Sequence, residues 1–308
     1  MRKALIVGSL NVDMTFNVEN FVKKGETIFA KSYYESCGGK GANQAVCVSK
    51  LGTKTEMLGM VGFDKEGEKL ISNLENFDIK CTILKSNFPT GRAIISVDKN
   101  ADNSIIVVGG ANLEIKKDDI DNNIESIKNN DIIILQNEIP EEVVEYTLVK
   151  AKENHKLTIY NPAPAKKVSE KKLENTDYLV VNETEMEFIF EQSIKDENYL
   201  ENLLKIKKEK DIKNIILTLG EKGVVLFDDK NDIKKYAAYK VNAVDTTAAG
   251  DSFIGAFASK ILDTNIDEAI KYAIAVSAIV VTRKGAQESI PTLDEIYKFI
   301  KENEDEKK

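Results

Sequence analysis

Short apolar runs recur along the chain, and none of them shows the alternation that marks a strand with one solvated face. Six runs bounded by turn residues are Ala4 to Val7, Met57 to Val61, Ile132 to Leu135, Leu157 to Tyr160, Tyr178 to Val181 and Ile215 to Leu219. Uninterrupted apolar strands are typical of parallel sheets that are buried on both faces. Helical patterns, such as those over residues 41–51, 141–152 and 199–210, lie between the runs. This order predicts a doubly wound α/β fold, with a mostly parallel sheet flanked by helices.

Two regions interrupt this order, and we expect them to form a lid. Residues 14–36 contain the β-rich run Thr27 to Tyr34, and residues 92–108 contain two β-rich runs joined by a polar turn that includes Ala101. The turn residues favour an antiparallel hairpin. We therefore expect a single domain over residues 1–308 with a small antiparallel β lid inserted into it. Because so small a sheet has too little core to be stable alone, we also expect a homodimer through the lid.

Net charge and the length of the apolar stretches argue against two classes of partner. The net charge is -8, with no basic cluster long enough to offset it, so nucleic acid is not an expected partner. The apolar run after Lys3 is too short for a signal peptide. No stretch approaches the roughly 18 apolar residues of a membrane helix, so we expect no membrane association and a cytoplasmic location.

Cysteine and histidine usage limits the chemistry. Cys37, Cys47 and Cys81 are odd in number and lack metal-ligand spacing, which fits reduced thiols in a reducing compartment. His155 is the one histidine and lies in a polar stretch. A His-rich zinc site or a Ser-His-Asp triad is therefore not expected.

Small residues precede one helical pattern, in Val244-Asp245-Thr246-Thr247-Ala248-Ala249-Gly250-Asp251-Ser252-Phe253. Such residues leave main-chain N–H groups accessible, and a helix N-terminus carries a partial positive charge, so the pattern favours an anion site. Asp251 has two interpretations here. It is either a helix cap or a catalytic carboxylate that takes a proton from an attacking alcohol.

Three glycines mark a second loop-to-helix boundary, Cys37-Gly38-Gly39-Lys40-Gly41-Ala42-Asn43-Gln44-Ala45. Glycine lets the backbone approach a ligand closely, and Lys40 and Asn43 offer donors for hydroxyl groups. The pattern matches neither the Walker loop nor the dinucleotide fingerprint.

Polar residues also follow two of the apolar runs. Gly8-Ser9-Leu10-Asn11-Val12-Asp13 comes after the first, where doubly wound sheets bind their ligands. Asn11 and Asp13 alternate, so both side chains can point to one side; an ordinary polar turn is the alternative. Asn182-Glu183-Thr184-Glu185 follows the fifth run and has the spacing of a capping box. A carboxylate and an amide at a strand end can also organise hydrated Mg²⁺, and the pattern leaves both interpretations open.

Taken in this order, the four stretches resemble the ribokinase, or PfkB, family of carbohydrate kinases, from Leu5 to about Pro291. Two further strings carry the resemblance, Asn161-Pro162-Ala163-Pro164-Ala165 and Val281-Thr282-Arg283-Lys284-Gly285-Ala286-Gln287. The full Gly-Gly-Lys-Gly-Ala-Asn-Gln and Asn-Pro-Ala-Pro-Ala strings are similar to the branch that acts on ribose. The resemblance implies ATP-dependent phosphorylation of D-ribose at O5.

The resemblance also implies a role for each matching residue. Asp251 is the general base, and the anion hole consists of main-chain N–H groups of Ala248, Ala249, Gly250 and Asp251. The sugar ligands are Asn11, Asp13, Gly39, Lys40, Asn43, Glu138 and Asp251. The nucleotide residues are Asn182, Glu185, Thr218, Gly220, Gly223 and Gly250, with Asn182 and Glu185 in the Mg²⁺ region. The site of the activating monovalent cation, K⁺, consists of Asp245, Thr247, Val280, Arg283, Gly285 and Ser289.

Two positions depart from the pattern of the family, and other activities stay open. Cys37 precedes the glycines, and Ile274 stands where a polar or aromatic contact to adenine is often found. Nucleotide preference is therefore open. The first alternative is a kinase of another small sugar, a nucleoside or a sugar phosphate, for which Lys23, Lys24, Lys31 and Arg92 are available as phosphate ligands. The second alternative is a non-catalytic sugar sensor, against which the intact Gly250–Asp251 pair argues.

Overall fold

Two sheets organise the computed structural model, which describes residues 2–100 and 102–305. In chain order the strands are β1 (Lys3–Val7), β2 (Asn11–Asn17), β3 (Ser32–Gly38), β4 (Lys54–Gly62), β5 (Lys80–Ser86), β6 (Gly91–Val97), β7 (Asn103–Val108), β8 (Ile132–Gln136), β9 (Leu157–Asn161), β10 (Tyr178–Asn182), β11 (Ile215–Thr218), β12 (Val224–Phe227) and β13 (Ile233–Tyr236). The helices are α1 (Lys40–Lys50), α2 (Lys65–Glu75), α3 (Lys117–Asn122), α4 (Ile124–Lys128), α5 (Glu141–Glu153), α6 (Glu170–Glu174), α7 (Glu183–Phe190), α8 (Tyr199–Glu209), α9 (Ala249–Ile261), α10 (Ile266–Val280) and α11 (Leu293–Asp305).

The larger sheet has nine strands in the order β13-β12-β11-β10-β9-β8-β1-β4-β5. The seven strands from β11 to β5 run parallel to one another, and β12 and β13 add an antiparallel edge. All six predicted apolar runs lie in the parallel part. The doubly wound α/β prediction is therefore confirmed.

Two apolar layers, one on each face of the larger sheet, explain why these strands do not alternate. In β1, Ala4 and Ile6 pack into the layer beneath α1, α9 and α10, whereas Leu5 and Val7 pack into the layer beneath α5, α7 and α8. All four side chains are fully buried. Since both faces of the strand are covered, burial of apolar side chains stabilises every position.

The smaller sheet contains the two segments predicted to form a lid, has the strand order β3-β2-β6-β7, and is called the lid below. The β6–β7 pair forms the expected antiparallel hairpin, and β2 pairs with β3 in the same way. Its two central strands, β2 and β6, run parallel, so the sheet mixes both arrangements. The predicted run from Thr27 becomes a strand only from Ser32. Ala101 of the predicted turn, Met1 and residues 306–308 lie outside the described residues.

No helix within residues 2–100 and 102–305 combines the length and the apolar character needed to cross a bilayer. The chain passes from the larger sheet into the lid directly after β1, and returns from β3 into α1. The predicted segments Gly8 to Asp13 and Cys37 to Ala45 therefore lie where the two sheets meet.

Candidate active site

Asp251 lies in the first turn of α9 with only 6% of its surface exposed. Its two carboxylate oxygens accept hydrogen bonds from neighbouring residues of α1. Asn43 Nδ2 donates to Oδ2 at 3.1 Å, and Gln44 Nε2 donates to Oδ1 at 3.0 Å. The Asp251 side chain is thus bound by α1, and within the described part of the chain no side chain caps the N-terminus of α9.

The N-terminus of α9 is open towards solvent beside this carboxylate. Ala248 precedes the helix in the left-handed region, with φ of 58°, and its carbonyl accepts from Ser252 N at 2.8 Å. Ala249 N donates to Thr246 O at 3.2 Å. At Gly250 a Cβ atom would meet nothing within 4 Å. The first N–H groups of a helix lack intrahelical acceptors, so beyond Ala249 the N–H groups of Gly250 and Asp251 are the donors for an anion, with open space at Gly250.

Glycine is required at the start of α1 because the backbone of the β1–β2 connection passes very close. A Cβ at Gly41 would lie 2.6 Å from Ser9 N, and one at Gly39 would lie 2.8 Å from Asn11 N. Gly39 also has φ of 91°, which side-chain-bearing residues rarely adopt. The glycines bring Lys40 and Asn43 against the segment that carries Asn11 and Asp13.

Glu138 forms hydrogen bonds to both the β1–β2 connection and the start of α1. It lies two residues beyond β8, and its Oε2 accepts from Ser9 Oγ at 2.5 Å, Lys40 N at 3.1 Å and Asn11 Nδ2 at 3.5 Å. The prediction from sequence included Glu138 but missed Ser9, which is fully buried. Local sequence carried no signal for a hydrogen bond between positions 129 residues apart.

Asn112 is a second residue that sequence reasoning missed. It is buried, accepts from Leu10 N at 2.9 Å and donates to Leu10 O at 3.0 Å and Asn11 Oδ1 at 2.8 Å. Because Asn11 Oδ1 accepts this bond, its Nδ2 is turned towards Glu138. Asn112 follows the pair Gly109-Gly110, a turn signal that could have drawn attention to it.

Asp13 is a buried carboxylate in β2, with 8% of its surface exposed. Burial, together with the negative charges of Glu138 and Asp251, raises the pKa of Asp13 to about 7. Its Oδ2 would lie 2.0 Å from a Cβ at Gly38, so a larger residue at that position would displace the carboxylate.

Lys40 faces the acidic groups of the site. The charge of Asp251, followed by those of Glu138 and Glu185, raises the pKa of the Lys40 ammonium, although burial opposes this rise. Lys40 therefore stays cationic between carboxylates that come from four separate elements or loops.

Asn182 and Glu185 form the capping box that their spacing predicted. Glu185 N donates to Asn182 Oδ1 at 2.8 Å, and Asn182 N donates to Glu185 Oε2 at 2.9 Å. Burial raises the pKa of Glu185, whose carboxylate faces Lys40 and Asp251. Among the residues with described positions, no group of three or more His, Cys, Asp or Glu could hold a metal by itself. A divalent ion here would need ligands from its nucleotide and water.

Of the residues predicted to bind nucleotide, Thr218, Gly220 and Gly223 lie at or just after the end of β11, the strand next to β10 and its capping box. Thr218 of β11 pairs with Asn182 of β10. Gly220 has φ of 55° and open space around its Cα, which suits ligand approach. At Gly223, by contrast, a Cβ would lie 1.9 Å from Tyr236 O, so packing against β13 alone requires glycine. Ile274 is 6% exposed and belongs to the apolar core.

Asp245 connects the two segments predicted to hold a monovalent cation. Its carboxylate accepts from Thr247 N at 2.9 Å and from Gly285 N at 3.0 Å. Val280 O accepts from Arg283 N at 3.0 Å, while the Arg283 guanidinium is paired with Glu295 at 2.7 Å. Ser289 is buried, and its hydroxyl donates to Ala286 O at 2.6 Å. A hard cation takes oxygen ligands, and the oxygens of Asp245 and Val280 accept hydrogen bonds from protein N–H groups in this structure.

Known proteins resemble this chain over nearly its whole length. A family model described as pfkB family carbohydrate kinase matches residues 1–293. Haemophilus influenzae ribokinase is 36% identical over 304 residues, which are 97% of this chain and 99% of the relative. Salmonella typhi deoxyribokinase is 35% identical over 303 residues, again 97% of this chain and 99% of the relative. Arabidopsis thaliana ribokinase, solved in complex with ribose and ATP, has a TM-score of 0.89 and 29% identity, and the match covers 98% of this chain and 99% of that one. The similarity spans the larger sheet and the lid alike.

Proposed function

The chain belongs to the pfkB family of carbohydrate kinases, and on this premise we propose that it transfers the γ-phosphate of ATP to O5 of D-ribose, which gives D-ribose 5-phosphate and ADP. The observation that carries the proposal is the position of the Asp251 carboxylate. It is buried at the open N-terminus of α9 and bonded to Asn43 of the glycine-rich helix start. The ribokinase relatives, one of them in complex with ribose and ATP, support the choice of substrates.

In the proposed mechanism Asp251 accepts the proton of the O5 hydroxyl while O5 bonds to the γ-phosphorus. The bond from that phosphorus to the bridging oxygen breaks, and ADP leaves. Phosphoryl transfer depends on alignment and charge stabilisation more than on covalent catalysis. The main-chain N–H groups from Ala248 to Asp251 stabilise charge on the transferring group. Lys40, which its carboxylate neighbours keep cationic, adds a positive charge beside it.

The sugar lies under the lid in this proposal, held by Asn11, Asp13, Gly39, Lys40, Asn43 and Glu138. Asn11 and Asp13 hydrogen-bond the 2- and 3-hydroxyls. Asn112 and Glu138 fix the orientation of the Asn11 amide, which supports a site that is formed before the sugar binds. A site built to bond a hydroxyl discriminates against a sugar that lacks it, because buried polar groups are then left unpaired.

Nucleotide and ions complete the proposed site. ATP binds along Asn182, Glu185, Thr218, Gly220, Gly223 and Gly250. Mg²⁺ would bind with the ATP phosphates near Asn182 and Glu185 and neutralise part of their charge. K⁺ would bind at Asp245, Thr247, Val280, Arg283, Gly285 and Ser289, mostly through carbonyl oxygens. Because Asp245 bonds both segments, a cation there would order the loop that leads into the anion hole.

Two other substrates can be weighed against ribose. The deoxyribokinase relative favours 2-deoxyribose as a second candidate. A sugar phosphate is less well supported, because Arg92 and Lys31 of the lid are already paired with Glu66 and Glu19. Lys23 and Lys24 are exposed residues of the same region.

A coupled ADP-release assay across pentoses, hexoses, nucleosides and sugar phosphates tests the proposal. We expect ribose to give the highest kcat/KM, at least about tenfold above 2-deoxyribose, and phosphorus NMR to identify the 5-phosphate. The Asp251→Asn variant supplies the background rate. A substrate panel in which every sugar binds but none exceeds that background would leave a sugar sensor as the better interpretation.

We also propose a homodimer that forms through the lid, in the cytoplasm. Every residue of β7 is exposed, including Ile105, Ile106, Val107 and Val108. An apolar strand at a sheet edge is a surface that proteins normally cover. The free thiols of Cys37, Cys47 and Cys81 support a reducing compartment.

A further inference from the structure

Five side-chain amides form a continuous hydrogen-bonded chain on either side of Asp251. On one side Gln136 Nε2 donates to Gln44 Oε1 at 2.6 Å, and Gln44 Nε2 donates to Asp251 Oδ1. On the other side Asn73 Nδ2 donates to Gln287 Oε1 at 2.7 Å, and Gln287 Nε2 donates to Asn43 Oδ1 at 3.1 Å. Asn43 Nδ2 then donates to Asp251 Oδ2. We call the first series the short arm and the second series the long arm.

The direction of every bond in both arms follows from the carboxylate. An ionised carboxylate only accepts, so Asn43 and Gln44 must turn their N–H groups towards Asp251. Their carbonyl oxygens then face away from it and must accept in turn. Gln136 and Gln287 meet this requirement, and Asn73 does the same for Gln287. Each amide thus donates towards Asp251.

Most of the amides in the two arms are buried, so the loss of one of their hydrogen bonds is costly. Gln44 and Gln136 are fully buried, Gln287 is 2% exposed and Asn43 is 6% exposed. Asn73 is half-buried and ends the long arm. A buried amide that loses its partner is costly to leave unsatisfied. Rotation of the Asp251 carboxylate would break one bond in each arm, so the two arms together restrict it to one orientation.

We propose that Gln44 and Gln287 are positioning residues for phosphoryl transfer, with Gln44 orienting Asp251 alone and Gln287 orienting both Asp251 and the sugar. The inference rests on the proposed function of Asp251 and Asn43. The short arm reaches only the base, whereas the long arm passes through Asn43, which also holds the sugar. The two arms therefore have different kinetic signatures.

Replacement of each glutamine by methionine, which has nearly the same shape but no donor, separates these signatures. Displacement of a catalytic group by about 1 Å can cost on the order of 10² in rate. We expect Gln44→Met to lower kcat by about 10- to 100-fold, with the calorimetric Kd for ribose within about twofold of wild type. We expect Gln287→Met to raise that Kd about tenfold as well as lowering kcat.

Asn214→Leu is the matched control. Asn214 is 4% exposed, and its Nδ2 donates to Asp177 O at 2.9 Å, in a buried amide bond that belongs to neither arm. This variant should lose stability without changing kcat or the Kd for ribose. Asn73→Ala provides a milder test of the long arm at its half-buried end, where folding tolerates substitution. It should raise the Kd for ribose about two- to fivefold.

A double-mutant cycle with Asp251→Ala decides whether Gln44 acts through Asp251. With Asp251 absent, Gln44→Met should change the residual rate by less than about threefold. A full multiplicative loss in that background, or an unchanged kcat in Gln44→Met alone, overturns the assignment of Gln44 while the proposed base stands. If Asp251→Ala itself keeps activity within about tenfold of wild type, the proposed base and the positioning role are both wrong.

Discussion

Asp13 is a carboxylate in surroundings that disfavour its charge. Its pKa is raised from 3.8 to about 7, first by burial and then by Glu138 and Asp251. The folded chain therefore holds a proton at this residue between pH 4 and pH 7 that the unfolded chain releases. The resulting stabilisation is present below pH 3.8 and is lost as pH rises through about 7. Unless sugar hydroxyls bind it, ionised Asp13 opposes folding.

Asp13→Asn should accordingly stabilise the ligand-free protein most at pH 8, by a smaller amount at pH 5 and hardly at all below pH 3.8. The full shift corresponds to up to about 4 kcal/mol in the free energy of unfolding. Thermal unfolding of both proteins at the two pH values measures it. An equal change in Tm at pH 5 and pH 8 would show that folding does not raise the pKa of Asp13.

Candidate site residues that follow a strand could be predicted from the sequence, but the residues that form hydrogen bonds to them could not. Asn11, Asp13 and Glu138 stand just after or within β segments and could be predicted from that position. Ser9, Asn112 and Gln136 act through partners about 90 to 130 residues away. Such pairings depend on which strands become neighbours, and local sequence does not carry that information.

Gly41 and Gly250 both lie at helix starts, but Gly41 is crowded by backbone atoms whereas Gly250 is surrounded by open space. At Gly41 of α1 a Cβ would meet backbone atoms of Gly8 and Ser9 within 3 Å, whereas at Gly250 of α9 it would meet nothing within 4 Å. Gly41→Ala should lower the free energy of unfolding by about 2–3 kcal/mol. Gly250→Ala should leave stability within about 1 kcal/mol of wild type but reduce kcat, because the methyl group enters the anion site.

Denaturant titration combined with the ADP-release assay checks both variants. We expect the two effects to be separate: Gly41→Ala should lose stability and keep turnover, whereas Gly250→Ala should lose turnover and keep stability. A Gly250→Ala protein with wild-type kcat would show that phosphate does not approach this end of α9.

The elements best predicted from sequence were the strands that are buried on both faces, because such strands have a continuous apolar sequence. β1, β4, β8, β9, β10 and β11 all met that condition. The edge strand β5, written KCTILKS, is only half-buried and carries no such signal. The parallel pairing of β2 with β6 was also beyond prediction, because it joins segments some 80 residues apart whose register is set by the larger sheet.

The lid gives a prediction for the whole molecule. We expect light scattering at micromolar concentration to give twice the 34.3 kDa chain mass. By strand register, Ile105 and Val107 share the face of Asp13, and Ile106 and Val108 share the opposite face. The double variants Ile105→Lys/Val107→Lys and Ile106→Lys/Val108→Lys each place two lysines on one face. We expect only one of the two to abolish dimerisation. A wild-type protein that is monomeric at this concentration would refute the proposed homodimer.

Across the whole molecule, the larger sheet, the lid and α9 converge on the carboxylate of Asp251. Asp251→Asn keeps the size of the side chain but removes its capacity to accept the O5 proton. Loss of a well-placed base lowers rate by about 10² to 10⁴. The most direct test is to measure kcat with ribose alongside the calorimetric Kd for ribose in this variant. We predict a fall in kcat of at least about a hundredfold with nearly unchanged ribose affinity, and activity within about tenfold of wild type would show that Asp251 is not the base.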